Sequence, residues 1–346
     1  MISKDIQPLA PAGGRLRVGM VGAGMISDFH LKAWEKVGGA EVVCVCDVDA
    51  ARARARADAF GVARAEDDFL RMLDRGGLDA IDIATPLETH EPLIREAAAR
   101  GLAILCQKPL TPRLAEACRL VADVQGRARL MVHENWRFRP YYRKAGEWIA
   151  AGLLGRLQQC CMSAFSAGLI ADANGVRPAL VREPSIRTSS LLVTGSVLIH
   201  HLDVLRYLLG PLRVVHARSG RETDEVKADT FTTIMLETPA RAPVVLMGNL
   251  AVPGLSLPIE DEIRIIGTES CISFAGNSLK LAGARSETIR YDPETAYQAA
   301  FDGAIAHFVD GLVEGKPFET SADDNLETLR LVDSALRLSV AREQAR

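Results

Sequence analysis

The residue around which the rest of this chain is arranged is a lysine that ends an apolar run. In Cys106-Gln107-Lys108-Pro109-Leu110-Thr111 the run at 102–106 stops and a helical pattern follows. Thr111 is placed to cap that helix, and Pro112 suits its first position, where no backbone N–H is needed. Strand, turn and helix in that order put Lys108 at the carboxyl end of a parallel strand, the edge at which ligands of open α/β sheets bind. A lysine there is either a surface ion-pair partner or a group that holds and moves a proton.

Two further groups bear on which. Gly22-Ala23-Gly24-Met25-Ile26-Ser27 follows an apolar run at 16–21 and opens a helical pattern carrying Phe29, Ala33 and Val37. This is G-x-G-x-x-S, one step from the dinucleotide fingerprint, with serine where a third small residue serves helix–strand packing. The glycines let the backbone approach a pyrophosphate, and the helix start at Met25 and Ile26 supplies N–H donors. Asp47 ends a second apolar run at 41–46. A carboxylate there accepts bonds from ribose hydroxyls and repels a 2′-phosphate, which favours NAD over NADP; the other reading is a turn aspartate. Arg52, Arg54 and Arg56 stand nearby and would suit a phosphate. Later in the chain, His200-x-x-Asp203 lies on a helical pattern after Gly195-Ser196, with the two residues on one face and His201 pointing elsewhere. A histidine there suits acid/base work, or is a structural residue satisfied by Asp203.

The elements that must position these groups alternate. Strands are expected at 16–21, 41–46, 80–84, 102–106 and 130–132, and helices at 51–60, 69–74, 92–100 and 114–125. That order implies right-handed crossovers and a doubly wound parallel sheet. The alternation stops near His133-Glu134, so the expected division is a loose tail at 1–14, a Rossmann dinucleotide-binding domain at 15–134 and a substrate-binding and oligomerisation α/β domain at 135–346. In the second part a helix at 141–151 precedes strands at 157–165, 212–219, 229–236, 244–251, 260–266, 271–274, 279–282 and 288–291, bounded by turn residues as in an open, mostly antiparallel sheet. Long helices are expected at 197–209, 296–314 and 323–342. The polar stretch 167–190, with Arg177, Arg182 and Arg187, reads either as a loop over a substrate pocket or as a surface excursion.

Composition narrows the classes. The 346 residues suit about two domains, and a formal charge of −3 gives no footprint for nucleic acid. No apolar run nears the roughly 20 residues that span a membrane, and 1–14 has no apolar core of a signal peptide. The seven cysteines include no C-x-x-C pair, so reduced thiols of a cytoplasmic protein are expected, with no metal site.

Taken in order, the Gly22-x-Gly24 turn, Thr85-Pro86-x-x-x-His90, Lys108-Pro109, Arg137-Phe138-x-Pro140, and His200-x-x-Asp203 leading to Leu209-Gly210 resemble the glucose–fructose oxidoreductase / inositol dehydrogenase / rhizopine catabolism (Gfo/Idh/MocA) family. The resemblance runs from about residue 16 onward. It implies a nicotinamide-dependent oxidoreductase that moves a hydride from a hydroxyl-bearing carbon of a sugar or polyol. It implies Lys108 as catalytic lysine and His200 as active-site histidine. Thr85, Pro86, His90 and Gln107 would lie along the cofactor, and Asn135, Arg137, Ser196 and His200 beside the substrate. Two departures stand out: Gln107 replaces the usual glutamate, and Ser196 stands where many members carry an acid. The segment 132–140 looks like a branch acting on free aldoses such as apiose. Expected partners are a small sugar or polyol and a second copy of the chain, as a homodimer or homotetramer, with no nucleic acid or membrane. Two other classes share the motifs: a glycoside hydrolase or lyase that uses NAD transiently, and a non-catalytic NAD-binding sensor.

Overall fold

The structure is a computed structural model that describes residues 8–9, 14–255, 257 and 259–343. The loose tail expected at 1–14 falls almost wholly outside those residues. The chain divides into two compact units, Met1–Phe138 with Tyr297–Glu327, and Arg139–Ala296 with Thr328–Arg346.

The first unit begins as a strict alternation: β1 (Leu16–Val21), α1 (Met25–Lys36), β2 (Ala40–Cys46), α2 (Ala50–Ala59), β3 (Arg64–Glu66), α3 (Phe69–Asp74), β4 (Ala80–Ile83), α4 (His90–Ala99), β5 (Ala103–Cys106), α5 (Leu114–Val124) and β6 (Leu130–Val132). The strands form a parallel sheet in the order β3-β2-β1-β4-β5-β6. The order reverses between β1 and β4, which opens a crevice at the carboxyl ends of these strands. β4, β5 and β6 are buried along their whole length, as strands covered on both faces must be. Asp49 and Asp68 cap α2 and α3 by accepting backbone N–H bonds. Thr111 does not cap α5 as its position suggested. Its hydroxyl donates to the Arg113 carbonyl at 2.9 Å, which builds a turn, and the helix starts at Leu114 behind an extended Arg113. The edge strand β3 carries no sequence signal because it is three residues long and polar.

The second unit holds α6 (Pro140–Ala150), β7 (Leu157–Phe165), α7 (Pro178–Arg182), α8 (Leu198–Leu209), β8 (Arg213–Gly220), β9 (Phe231–Glu237), β10 (Pro243–Asn249), β11 (Glu260–Gly267), β12 (Ser270–Ala275), β13 (Ser278–Gly283) and β14 (Glu287–Arg290). Two long helices follow, α9 (Pro293–Glu314) and α10 (Ala322–Glu343). The eight-stranded sheet runs β14-β13-β12-β11-β7-β10-β9-β8 and is antiparallel except between β7 and β10. Tyr141 of α6 stacks on Phe274 of β12 with ring centroids 3.9 Å apart. Gly248 of β10 is a close-approach position: a Cβ there would meet Val193 Cγ1 at 2.8 Å and Leu198 Cδ1 at 3.0 Å, so the start of α8 lies flat on the sheet.

The division at 134 assigned everything after it to one domain, whereas the contacts return Tyr297–Glu327 to the first unit. The apolar face of α9 is the reason. Phe301, Phe308 and Leu312 are buried with Leu16, Val18, Trp34 and Leu105 in one core. Beyond α9 the chain closes the exposed edge of β6: Val132 N–H donates to the Thr320 carbonyl at 2.9 Å, and the Thr320 hydroxyl donates back to the Val132 carbonyl at 2.7 Å. Among the described residues no helix is long and apolar enough to cross a membrane.

Candidate active site

Gly22 leaves β1 with a φ of 101°, and a Cβ there would sit 2.4 Å from the Ala84 carbonyl oxygen, so glycine alone lets the turn lie against the end of β4. A Cβ on Gly24 would meet nothing within 4 Å, so that side of the turn is open. α1 starts at the next residue with no side-chain cap, which leaves its first N–H groups and its positive end facing the opening. Met25 is exposed, Ile26 half-buried, and Ser27 fully buried with its hydroxyl donating to the Gly24 carbonyl at 2.6 Å. Asp47 ties this turn to β2. Its Oδ2 accepts from Ala23 N–H at 2.8 Å, and its Oδ1 accepts from Asp49 N–H at 2.9 Å and from Arg52 Nη2 at 3.0 Å. Arg54 pairs with Asp58, and Arg56 with Asp28 and the Gly24 carbonyl. Each nearby guanidinium therefore has a carboxylate, which weakens it as a phosphate partner.

Beyond β4, Thr85 is half-buried and Pro86 exposed, while the Thr89 hydroxyl lies 2.7 Å from both the Thr85 hydroxyl and the Pro86 carbonyl. His90 is buried. Its Nδ1 lies 3.0 Å from the Pro109 carbonyl and its Nε2 3.0 Å from the Thr85 carbonyl. It therefore holds the loops after β4 and β5 together. Burial pushes its imidazole below the ordinary value, against the pull of the two carbonyls.

At the end of β5 the Gln107 N–H joins the sheet by donating to the Ile83 carbonyl at 2.9 Å. Its side-chain nitrogen lies 2.8 Å from His30 Nε2 and 3.1 Å from His133 Nδ1, and its Oε1 faces the Lys108 N–H at 3.4 Å. Asp82 Oδ2 completes the cluster, 2.7 Å from His30 Nδ1 and 2.8 Å from Trp34 Nε1. Lys108 is half-buried and precedes a cis peptide to Pro109.

In the second unit, residues 193–197 form one π-helical turn, and α8 begins directly after it. Such turns concentrate at functional sites. Ser196 is half-buried in the turn and His200 is 8% exposed in the first turn of α8. Thr194 anchors the turn, its N–H and its hydroxyl both donating to Asp229 Oδ2; burial raises this carboxyl, and the two bonds oppose the rise. His201 is fully buried and faces another way, with Nε2 2.9 Å from Asp261 Oδ1 on β11. Arg139 Nη1 pairs with Asp261 Oδ2 at 2.7 Å. Burial works against the Arg139 charge, but the Tyr141 and Asp261 oxygens outweigh it and hold the guanidinium above its ordinary value. Asp203 is fully buried with the Thr328 hydroxyl at 3.3 Å.

Within the first unit the fold thus gathers Gly22, Gly24, Met25, Ile26, Asp47, Thr85, Pro86, Gln107 and Lys108 at the carboxyl edge of the sheet. Within the second it sets Ser196 and His200 together at the head of α8. Arg137 is buried and donates to the Glu319 carbonyl at 3.1 Å and to Asp324 at 2.9 Å, fastening the segment after α9. Asn135 is buried in the short 3₁₀ turn beside it. Sequence reasoning missed His30, Asp82, His133 and the Arg139–Asp261–His201 cluster. Asp82 carried a signal, because a lone carboxylate inside a buried apolar strand needs partners. All seven cysteines are free, with burial pushing Cys44 to about 11 and Cys46 to about 12, and the described residues hold no cluster suited to a metal ion.

The chain has clear likenesses among known proteins. A family model described as oxidoreductase family, NAD-binding Rossmann fold, matches residues 16–134, and one described as GFO/IDH/MocA C-terminal domain matches residues 142–273. A D-apiose dehydrogenase of Paraburkholderia graminis is 30% identical, over 92% of this chain and 86% of its own length. An inositol 2-dehydrogenase of Saccharopolyspora erythraea is also 30% identical, over 87% of this chain and 86% of its own. The crystal structure of an oxidoreductase from Agrobacterium radiobacter in complex with NAD+, L-tartaric acid and magnesium superimposes with a TM-score of 0.86 at 26% identity, covering 94% of this chain and 96% of the other.

Proposed function

Because this chain belongs to the Gfo/Idh/MocA oxidoreductase family, we propose that it is an NAD-dependent dehydrogenase that oxidises a hydroxyl of a free sugar or cyclic polyol. The observation that carries this reading is the convergence of the open Gly22–Gly24 turn, Asp47 and Lys108 on the carboxyl edge of one parallel sheet, beside the reversal of strand order.

The residues present fit the cofactor. The glycine turn has an open side, α1 offers uncapped N–H groups to a pyrophosphate, and Asp47 offers a carboxylate to ribose hydroxyls. When bound, NAD supplies the hydride acceptor. Lys108 binds the substrate hydroxyl through its ammonium group when protonated, and as the free amine takes the hydroxyl proton when the carbon gives up its hydride. His200, in the first turn of α8, is the second candidate acid/base group. Ser196 stands where many members of the family carry an acid, and Lys108 is the main proton acceptor. Gln107 and the His90 clamp fix the peptide that carries Lys108, and Asn135 is the further substrate contact.

The relatives named for D-apiose and inositol support a polyhydroxylated substrate with several vicinal hydroxyls. Exposed Val215 on β8 and Met235 on β9 support assembly as a homodimer or homotetramer, to be read by light scattering. The function is tested by following NADH absorbance with a panel of free aldoses, including D-apiose, inositols and anhydrosugars. Reduction of NAD by at least one of them is expected. Tight NAD binding with no reduction across the panel would point to the sensor instead, and substrate turnover without accumulated NADH to the hydrolase or lyase.

A further inference from the structure

Gln107 sits between two histidines, each with one ring nitrogen within hydrogen-bond reach of its amide nitrogen. Asp82 Oδ2 takes the Nδ1 proton of His30 and the indole proton of Trp34. A neutral His30 has then spent its proton, and its Nε2 lone pair faces the Gln107 amide nitrogen at 2.8 Å. The second N–H of the same amide faces His133 Nδ1 at 3.1 Å, so the proton of a neutral His133 sits on Nε2. The two rings lie 4.2 Å apart between centroids, where two imidazolium ions would repel. The order of donors therefore runs one way, with the amide giving a proton bond to each ring and its oxygen left for the Lys108 N–H at 3.4 Å.

The geometry points to Gln107 as a positioning residue for Lys108, with its carboxamide orientation dictated by opposite tautomers of His30, protonated on Nδ1, and His133, protonated on Nε2. The chain leaves β5 at this amide. The Gln107 side chain is held from α1 and from the end of β6, and the Pro109 carbonyl two residues on is held by His90 from α4. The peptide bearing Lys108 is thus fixed on both sides. Glutamine and glutamate are not interchangeable at this position. A carboxylate at 107 offers only acceptors, so His30 would have to carry protons on both nitrogens, between Asp82 and the new acid. The titratable groups facing this cluster are Asp82 of β4, Cys106 and Lys108 at the end of β5, and His133 after β6. The Cys106 thiol is kept neutral by burial, and from α9 the uncharged Phe301 ring packs against both imidazoles. The effect on rate rests on the reading of Lys108 as proton-transfer group; the tautomer assignment does not.

The test is ¹⁵N NMR of the full chain labelled in its seven histidines, with kcat measured against pH for the Gln107 variants. Wild-type protein at neutral pH should show His30 protonated on Nδ1 alone and His133 on Nε2 alone. In Gln107→Glu, His30 should carry both protons and kcat should fall, with KM for NAD within about threefold. Gln107→Met keeps the stem but removes both donors, and should lower kcat roughly tenfold at every pH. Wild-type rings in the reverse tautomers, or a charged His30, would overturn the assignment without any variant having to fold. Correct tautomers with an unchanged kcat in Gln107→Met would overturn the positioning role. That result is distinct from failure of the Lys108 reading, which would appear as an unchanged rate in Lys108→Met.

Discussion

Asp47→Asn is the perturbation that separates a ribose-binding carboxylate from a turn aspartate. The asparagine oxygen keeps the bond from Ala23 N–H, 2.8 Å long in the native protein, so the tie between the glycine turn and β2 survives, while its NH2 replaces the oxygen that accepts from Asp49 N–H and Arg52. What the ribose loses is the charge. Two charge-assisted bonds to ribose hydroxyls, about 1.5–3 kcal/mol each, become neutral ones of about 0.5–1.5 kcal/mol. The net loss is about 2–3 kcal/mol, or roughly 30- to 150-fold in kcat/KM with NAD. The opposite change is expected with NADP. The carboxylate that repels its 2′-phosphate is gone, and Arg52, which pairs with Asp47 at 3.0 Å in the native protein, is released toward that site. The assay is kcat/KM with both cofactors at fixed ionic strength, with a thermal melt to confirm folding. Native enzyme that prefers NADP, or a variant whose cofactor ratio is unchanged, would refute the argument and make Asp47 a turn residue only.

Other groups give further expectations. His201→Ala removes a buried donor to Asp261 and should cost about 2–3 kcal/mol in urea unfolding, with kcat of the folded enzyme close to normal, because the buried ring is engaged by Asp261 at Nε2 and by the Val197 carbonyl at Nδ1. His90 makes stability depend on pH. Its folded value lies below the ordinary 6.5, so the unfolded chain binds the proton more readily; its contribution is complete above 6.5 and is lost as pH falls through the lowered value. Melting temperature below pH 6.5 should therefore drop less steeply in His90→Gln than in wild type, and parallel curves would contradict this. His200→Asn should lower kcat in steady-state assays, but by less than loss of Lys108, the main proton acceptor.

The strand–helix alternation of the first unit was legible because its strands are buried on both faces and read as apolar runs, as in Ala103–Cys106. The glycine turn, Asp47 and Lys108 were legible for the same reason, each standing where such a run ends. Partners across the sheet were not. Nothing local says that His30 on α1 meets Gln107 on the far side of β4, 77 positions later, or that Arg137 spends its charge on Asp324. The return of Tyr297–Glu327 to the first unit was hidden too. Helix α9 is apolar over much of its surface, and periodicity alone cannot say which sheet it covers.

The central claim is that Lys108 takes the proton while the substrate carbon gives up its hydride. Lys108→Met keeps the stem volume and removes the amine, leaving the Gly22–Gly24 turn and Asp47 untouched. Stopped-flow reduction of NAD by the best substrate of the panel measures the step directly. The rate in Lys108→Met should be lower by roughly 10²–10⁴, with NAD affinity changed only slightly. Reduction at a near wild-type rate in the folded variant would contradict it.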